Sequence, residues 1–322
     1  MLAFILREPR RLERIDLPVP EPGPDRVRVK VACVGICGSD VEAYLGHRKP
    51  EFLSDPPMLG HEPAGVIDAV GERVQGLRVG DRVTTVGVWG CFSEYIVARP
   101  EQVLRLHPRI PLEDGSLIEV LPGIIAAAVK TGITPAHDVL VMGQGLSGLQ
   151  ITRLVALKGC KRLIAADRFA EKLELAREFG ARETIDVSRE DLVERVNAMT
   201  RGGVDVTIMA TLDGNDVPTA IEVTRPRGKV VLYGSIGPCG GIDFFKQHRK
   251  GVSIVKETTD LDFFERRRLW REAMELVADG ILPTHRLRTH TFPMEKLPEA
   301  MELRAEPRPD VIHVVMRNAG GE

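Results

Sequence analysis

The sequence predicts an α/β protein in which a parallel sheet built from βαβ units is joined to a smaller β-rich unit. Three observations carry this. Apolar strands alternate with helical patterns after about residue 121. Before that point, short β-rich runs are separated by Gly, Pro and Asp turns. A Gly-x-Gly-x-x-Gly run stands where the first strand of the alternating region gives way to a helix.

In chain order, the β-rich runs are Val27 to Val34, Ala64 to Val70 and Glu94 to Ala98, punctuated by EPGPD and VGD. The alternating region reads DVLVMG, LQITRLVALKG, RLIAAD, EKLELAREFGA, VDVTIMA, VPTAIEVT and GKVVLYG. Strands and helices of these lengths require right-handed crossovers and hence parallel pairing. From about Leu261 a helical stretch, FERRRLWREAMELVADG, leads to a strand-like DVIHVVM, and this tail is able to complete either unit. With 322 residues, 43% hydrophobic, the chain has room for two medium-sized cores.

Charge excludes some functions. The 44 basic and 46 acidic residues nearly cancel, and no like-charge block reaches five residues, so neither a nucleic-acid nor a membrane surface is expected. RRRLWRE looks basic, but the glutamates around it make a solvated, salt-linked helix face. The opening MLAFILREPRRLE puts apolar residues before basic ones, the reverse of a secretory signal, and a cytoplasmic protein is expected. Five cysteines, odd in number and without a C-x-x-C pair, fit a reducing compartment better than a disulfide framework.

Two sets of residues point to chemistry. Gly143-Gln144-Gly145-Leu146-Ser147-Gly148 follows an apolar strand and opens a helix, the arrangement that cradles a dinucleotide pyrophosphate. Asp167 ends the next strand, 19 residues beyond Gly148, where a carboxylate bonds ribose hydroxyls and repels a 2′-phosphate. NAD is therefore favoured over NADP, with Arg168 able to soften that preference. The second set is Cys37, His61 and Glu62, and Glu119. Cys37 precedes His61 by 24 residues and Glu119 by 82. One thiolate, one imidazole and one or two carboxylates suit zinc. Spacing this long leaves a buried structural thiol and an ordinary loop histidine as the alternative.

VGICGSD, PPMLGHEPAGVI, VGDRV, CFSEYIV, LIEVLPG and VMGQGLSG, in that order, resemble the zinc-dependent medium-chain dehydrogenase/reductase family, in its polyol, threonine and sugar dehydrogenase branch. The resemblance extends to THTFPMEKLPEAMEL near the C-terminus. It implies a GroES-like β catalytic domain over residues 1–121 and 259–322, interrupted by a Rossmann doubly wound domain over 122–258. The active site is expected in the cleft between them. Carried over by motif, Cys37 and His61 match zinc ligands, and Glu62 matches a carboxylate that ligates zinc in some polyol enzymes. Glu119 matches one that ligates zinc or holds its water. Asp40 matches a residue bonding the ligand histidine, and Ser39 a hydroxyl beside the substrate oxygen. Gly143, Gly145, Leu146, Ser147, Gly148, Asp167 and Arg168 fall on the NAD site, and Lys256 and Glu257 at the domain junction.

The implied reaction is hydride transfer between a secondary alcohol, polyol or sugar and NAD, with one catalytic zinc per chain, in a homo-oligomer, dimeric or tetrameric. Only TTVGVWG separates Val83 from Cys91, where many relatives carry four cysteines, so no structural zinc is expected. Glu42 stands where relatives often have a proton-relay histidine; His47 is the nearby substitute, and it also reads as a solvated loop histidine. Cys91 reads as a packed thiol. Alternative outcomes are a zinc-free enone or quinone reductase, or a non-catalytic nucleotide-binding protein of the same fold.

Overall fold

The computed structural model describes residues 1–48, 53–129, 131–234, 236–256 and 263–320. The chain divides into two compact units, Met1–Val120 with Trp270–Glu322, and Leu121–Leu269. The boundary expected at residues 258 and 259, and Glu257 beside it, lie outside the described residues.

The first unit opens with an antiparallel hairpin, β1 (Leu2–Glu8) and β2 (Arg11–Asp16). There follow β3 (Val27–Gly35), α1 (Gly38–Tyr44), β4 (Glu62–Val70), β5 (Arg82–Thr85), β6 (Tyr95–Ala98), β7 (Val103–Arg105) and α2 (Leu112–Gly115). β3 shows why it is central. Its first half alternates, with Val27, Val29 and Val31 buried and Lys30 exposed, while Val31 to Gly35 are buried on both faces. It pairs antiparallel with β4 along its length and with β6 over its first half.

The second unit runs α3 (Leu121–Val129), β8 (Asp138–Met142), α4 (Leu146–Lys158), β9 (Arg162–Asp167), α5 (Ala170–Glu178), β10 (Glu183–Asp186) and α6 (Leu192–Met199). It continues through β11 (Val204–Met209), α7 (Val217–Val223), β12 (Thr224–Leu232), α8 (Phe244–Lys250) and β13 (Ser253–Val255), and α9 (Phe263–Ala278) carries the chain across the division at Leu269 and Trp270. Among the described residues these strands form one parallel sheet in the order β10-β9-β8-β11-β12-β13. The chain moves outward from β8 in one direction, then returns and moves in the other. Right-handed crossovers then put the two sets of helices on opposite faces, and the reversal leaves a crevice at the carboxyl ends of β8 and β11. β8 is buried at every position, as a strand covered on both faces must be.

Asp205, near the start of β11, ties three strands together at the other end of this sheet. Its Oδ2 accepts from the Asp138 amide at 2.8 Å and its Oδ1 from Arg225 Nε at 2.6 Å. Burial acts to raise this carboxyl, but the amide and the guanidinium outweigh it and hold the group below its usual range. A lowered acid stabilises the fold above the unfolded carboxylate range and ceases to do so as pH falls through its folded value. Asp205→Ala is expected to cost about 1–2 kcal/mol in urea unfolding at pH 7. At acid pH, with Asp205 protonated, the difference from wild type shrinks.

The chain then returns to the first unit with β14 (Arg288–Pro293), α10 (Leu297–Ala305) and β15 (His313–Arg317). β15 inserts between β14 and β3, giving the order β14-β15-β3-β4-β5-β7 with β6 also against β3. Phe4, Val29, Tyr44, Ile67, Phe92 and, from the returning segment, Met301 and Val314 belong to one core. The tail thus completes the β-rich unit. In α9, Leu269, Trp270, Ala273 and Met274 are buried while Arg271, Glu272 and Glu275 are exposed, so the helix expected here is amphipathic, and the solvated face read for RRRLWRE excludes its Leu269 and Trp270.

Candidate active site

At the end of β3 the chain turns into α1, and Cys37 is the residue that caps it, in extended conformation at φ −75°. Asp40, three residues on, reaches back so that its Oδ2 accepts from the Cys37 amide at 3.0 Å. Its Oδ1 accepts from the Gly60 amide at 2.9 Å and faces His61 Nδ1 at 3.4 Å. Fully buried, Asp40 therefore fixes the Cys37 turn against the segment that carries His61. Gly60 lies at φ +87°, and a Cβ there would strike the Phe92 amide at 2.8 Å, so this turn admits only glycine. β4 begins at Glu62, which the strand register sets opposite Gly35.

The ligand atoms of Cys37, His61 and Glu62 consequently lie within 4.8 Å of one another. Among the described residues they form the group able to hold a metal ion. Glu119 stands outside that group, though its charge acts on Glu62. Burial acts to raise the Cys37 thiol, but the charge and hydrogen bond of His61 outweigh it and bring the thiol below its ordinary value. His61 is held well above its ordinary value because Asp40 and Cys37 overcome its burial. Burial and then the Cys37 charge push Glu62 well up. Both Glu62 oxygens and His61 Nδ1 are buried without a hydrogen-bond partner. Two neighbouring acids buried together repel one another, and a dication turns that cost into attraction. One sulfur, one nitrogen and one oxygen fit zinc and leave a fourth position open. Ser39 Oγ stands 3.4 Å from His61 Nε2.

In the second unit the three loop glycines serve three different ends. Gly143, after β8, takes φ +84° for the turn. A Cβ on Gly148 would lie 1.8 Å from the Gly143 carbonyl oxygen, so the helix packs directly on the turn. At Gly145, the residue that caps α4, an added Cβ would meet nothing within 4 Å, which leaves the backbone open to an approaching group. Leu146 and Ser147 form the first turn of α4, and Ser147 Oγ donates to Tyr233 Oη at 3.1 Å. Asp167, at the end of β9, accepts from the Gln144 amide at 2.7 Å and the Phe169 amide at 3.0 Å. The carboxylate thereby anchors the glycine loop. Arg168 and Lys172 stand 5.4 Å and 4.9 Å from the Phe169 ring centroid.

Two family models match the chain: "Alcohol dehydrogenase GroES-like domain" over residues 23–108, and "Zinc-binding dehydrogenase" over residues 145–279. Sorbitol dehydrogenase of Rattus norvegicus is 30% identical over 334 residues, covering 94% of this chain and 92% of the relative. The starvation-sensing protein RspB of Escherichia coli K12 is 31% identical over 337 residues, covering 94% and 95%. The chain belongs to the zinc-type medium-chain alcohol and polyol dehydrogenase family. The crystal structure of the alcohol dehydrogenase rspB from E. coli CFT073, complexed with NADH, superposes on this dehydrogenase with a TM-score of 0.83. It is 27% identical and covers 98% of this chain and 99% of that one.

The dehydrogenase also shows features that sequence reasoning missed. Trp89 stacks on His61 with ring centroids 4.1 Å apart and planes inclined by 30°. Nothing in TTVGVWG marks that tryptophan, because the contact joins residues 28 positions apart through a turn with no periodicity. Lys172 was likewise hidden, one helical turn past Arg168. Glu42 and His47 pair at 3.5 Å, with His47 the more exposed of the two. No described helix is long and apolar enough to cross a membrane.

Proposed function

We propose that the protein is a zinc-dependent alcohol dehydrogenase that moves a hydride between a secondary alcohol of the polyol or sugar class and NAD(H). The observation that carries this is the convergence of Cys37, His61 and Glu62, with Ser39 beside His61 and two carboxylate oxygens left unpaired in the interior. Those three residues would hold a zinc ion, which would supply Lewis-acid polarisation of the substrate oxygen.

The chain's own residues do the rest. Asp40 faces His61 Nδ1, which leaves Nε2 for the ion and keeps the ring oriented. Ser39 Oγ receives the proton of the substrate hydroxyl while passing its own outward, and the Glu42–His47 pair serves as the exit to solvent. Trp89, stacked on His61, limits the ring's rotation and excludes water from one of its faces. Gly143, Gly145, Gly148 and the start of α4 hold the cofactor pyrophosphate. Asp167 sits where the adenosine ribose is bound and favours NAD, with Arg168 and Lys172 reducing the penalty for a 2′-phosphate. Glu119 acts on the site through its charge on Glu62.

The test is metal-replete wild-type protein, assayed for zinc content and for NAD and NADP reduction across a panel of polyols and sugars. About one zinc per chain, with NAD reduced faster than NADP by a secondary alcohol, is the expected result. Protein that binds NADH yet retains no zinc would instead be a zinc-free reductase or a nucleotide-binding protein.

A further inference from the structure

β15, β3 and β4 lie side by side, with Val315 opposite Gly35 and Gly35 opposite Glu62. His313 is two residues from Val315 and so projects from the same face of β15. A side chain at position 35 would stand between His313 and Glu62. A Cβ built on Gly35 would come within 2.6 Å of Glu62 Oε2 and 2.7 Å of His313 Nε2. Gly35 is not among the residues with positive φ, so space and not backbone conformation requires glycine here. The imidazole and the carboxylate share one gap across the middle strand.

Both side chains are enclosed, His313 at 1% and Glu62 at 0% exposure. His313 Nε2 and both Glu62 oxygens are without hydrogen-bond partners. The His313 ring brings an N–H donor to this gap. Arg304 on α10 presents a buried, unpartnered Nε, and its charge also acts on Cys37, Glu62 and Asp40. A carboxylate that gives one oxygen to a metal still needs a donor for the other when no water reaches it.

We propose that His313 positions Glu62 for the metal, donating Nε2–H across the Gly35 gap to Oε2 so that the other oxygen is turned toward the ion. The proposal rests on the metal reading above. His313 is a positioning residue, since it acts through Glu62 and touches neither substrate nor cofactor.

The experiment titrates metal-free protein with Zn²⁺ against a chromophoric chelator, in wild type, His313→Phe, Glu62→Gln and the double variant. His313→Phe is expected to weaken zinc binding about ten- to hundredfold. In the Glu62→Gln background the same change is expected to alter it by less than about twofold, because the carboxylate through which His313 acts is gone. Gly35→Ala, which wedges a methyl into the gap, is expected to weaken binding as His313→Phe does. Should the phenylalanine variant fail to fold by circular dichroism, His313→Asn, whose amide is too short to span the gap, carries the same expectation. Wild-type zinc affinity in His313→Phe overturns the proposal, as does an equal loss with and without Glu62. Wild type that binds no zinc overturns the metal reading itself, whereas zinc-binding wild type with indifferent variants overturns this inference alone.

Discussion

Cys37→Ser is expected to leave the protein without bound zinc and without measurable alcohol oxidation, while NADH binding persists. The serine hydroxyl does not ionise near neutral pH, so the site loses its one soft, anionic ligand and, among the described residues, keeps His61 and Glu62. Zinc sites with four ligands bind with roughly 10–16 kcal/mol at neutral pH, so one ligand accounts for about 3 kcal/mol, of order a hundredfold or more in affinity. Dialysis against a mild chelator then empties the variant but not wild type. The NAD loop lies in the other unit. Metal analysis beside an NADH fluorescence titration separates the two effects. Stoichiometric zinc in the variant would show that Cys37 is a packed thiol.

Gly148→Val is expected to raise the NADH dissociation constant at least about a hundredfold and leave zinc content unchanged. At 1.8 Å from the Gly143 carbonyl oxygen, a Cβ has no room unless α4 moves off the turn, and the amides that face the pyrophosphate move with it. Gly145→Ala makes the sharper comparison. Nothing lies within 4 Å of its added Cβ, so the melting temperature of that variant should stay near wild type while NADH binding still weakens. A Gly145→Ala protein that binds NADH as wild type does would place the cofactor's pyrophosphate elsewhere.

Much of the second unit was legible because its signals are local. Each strand of the alternating pattern is a short apolar run, each helix begins within a few residues, and the glycine loop and Asp167 fall at the ends of consecutive strands. The first unit was legible mainly through its motifs. Cys37 and His61 show no informative spacing, and only the resemblance distinguished a metal ligand from a buried thiol; the structure adds the Asp40 clasp that brings their loops together. What stayed hidden depends on pairing between distant strands. No pattern in VGICGSD says that Gly35 is a gap, since the two side chains it accommodates arrive 27 and 278 positions later. Trp89 escaped for the same reason, as its partner is set by how two loops fold over each other.

The place of β15 in the middle of its sheet has a consequence for the order in which the protein is made. β3 and β4 leave the ribosome early, but the strand that flanks β3 beside Gly35 follows only after the entire second unit has been synthesised. Until then the edge of β3 near Gly35 lacks its ladder partner, and Glu62 has no neighbour on that side. The parallel sheet, all of whose strands are contiguous in the chain, is free to form first during translation. The sheet that holds the metal ligands is therefore completed only through contacts of very long sequence separation.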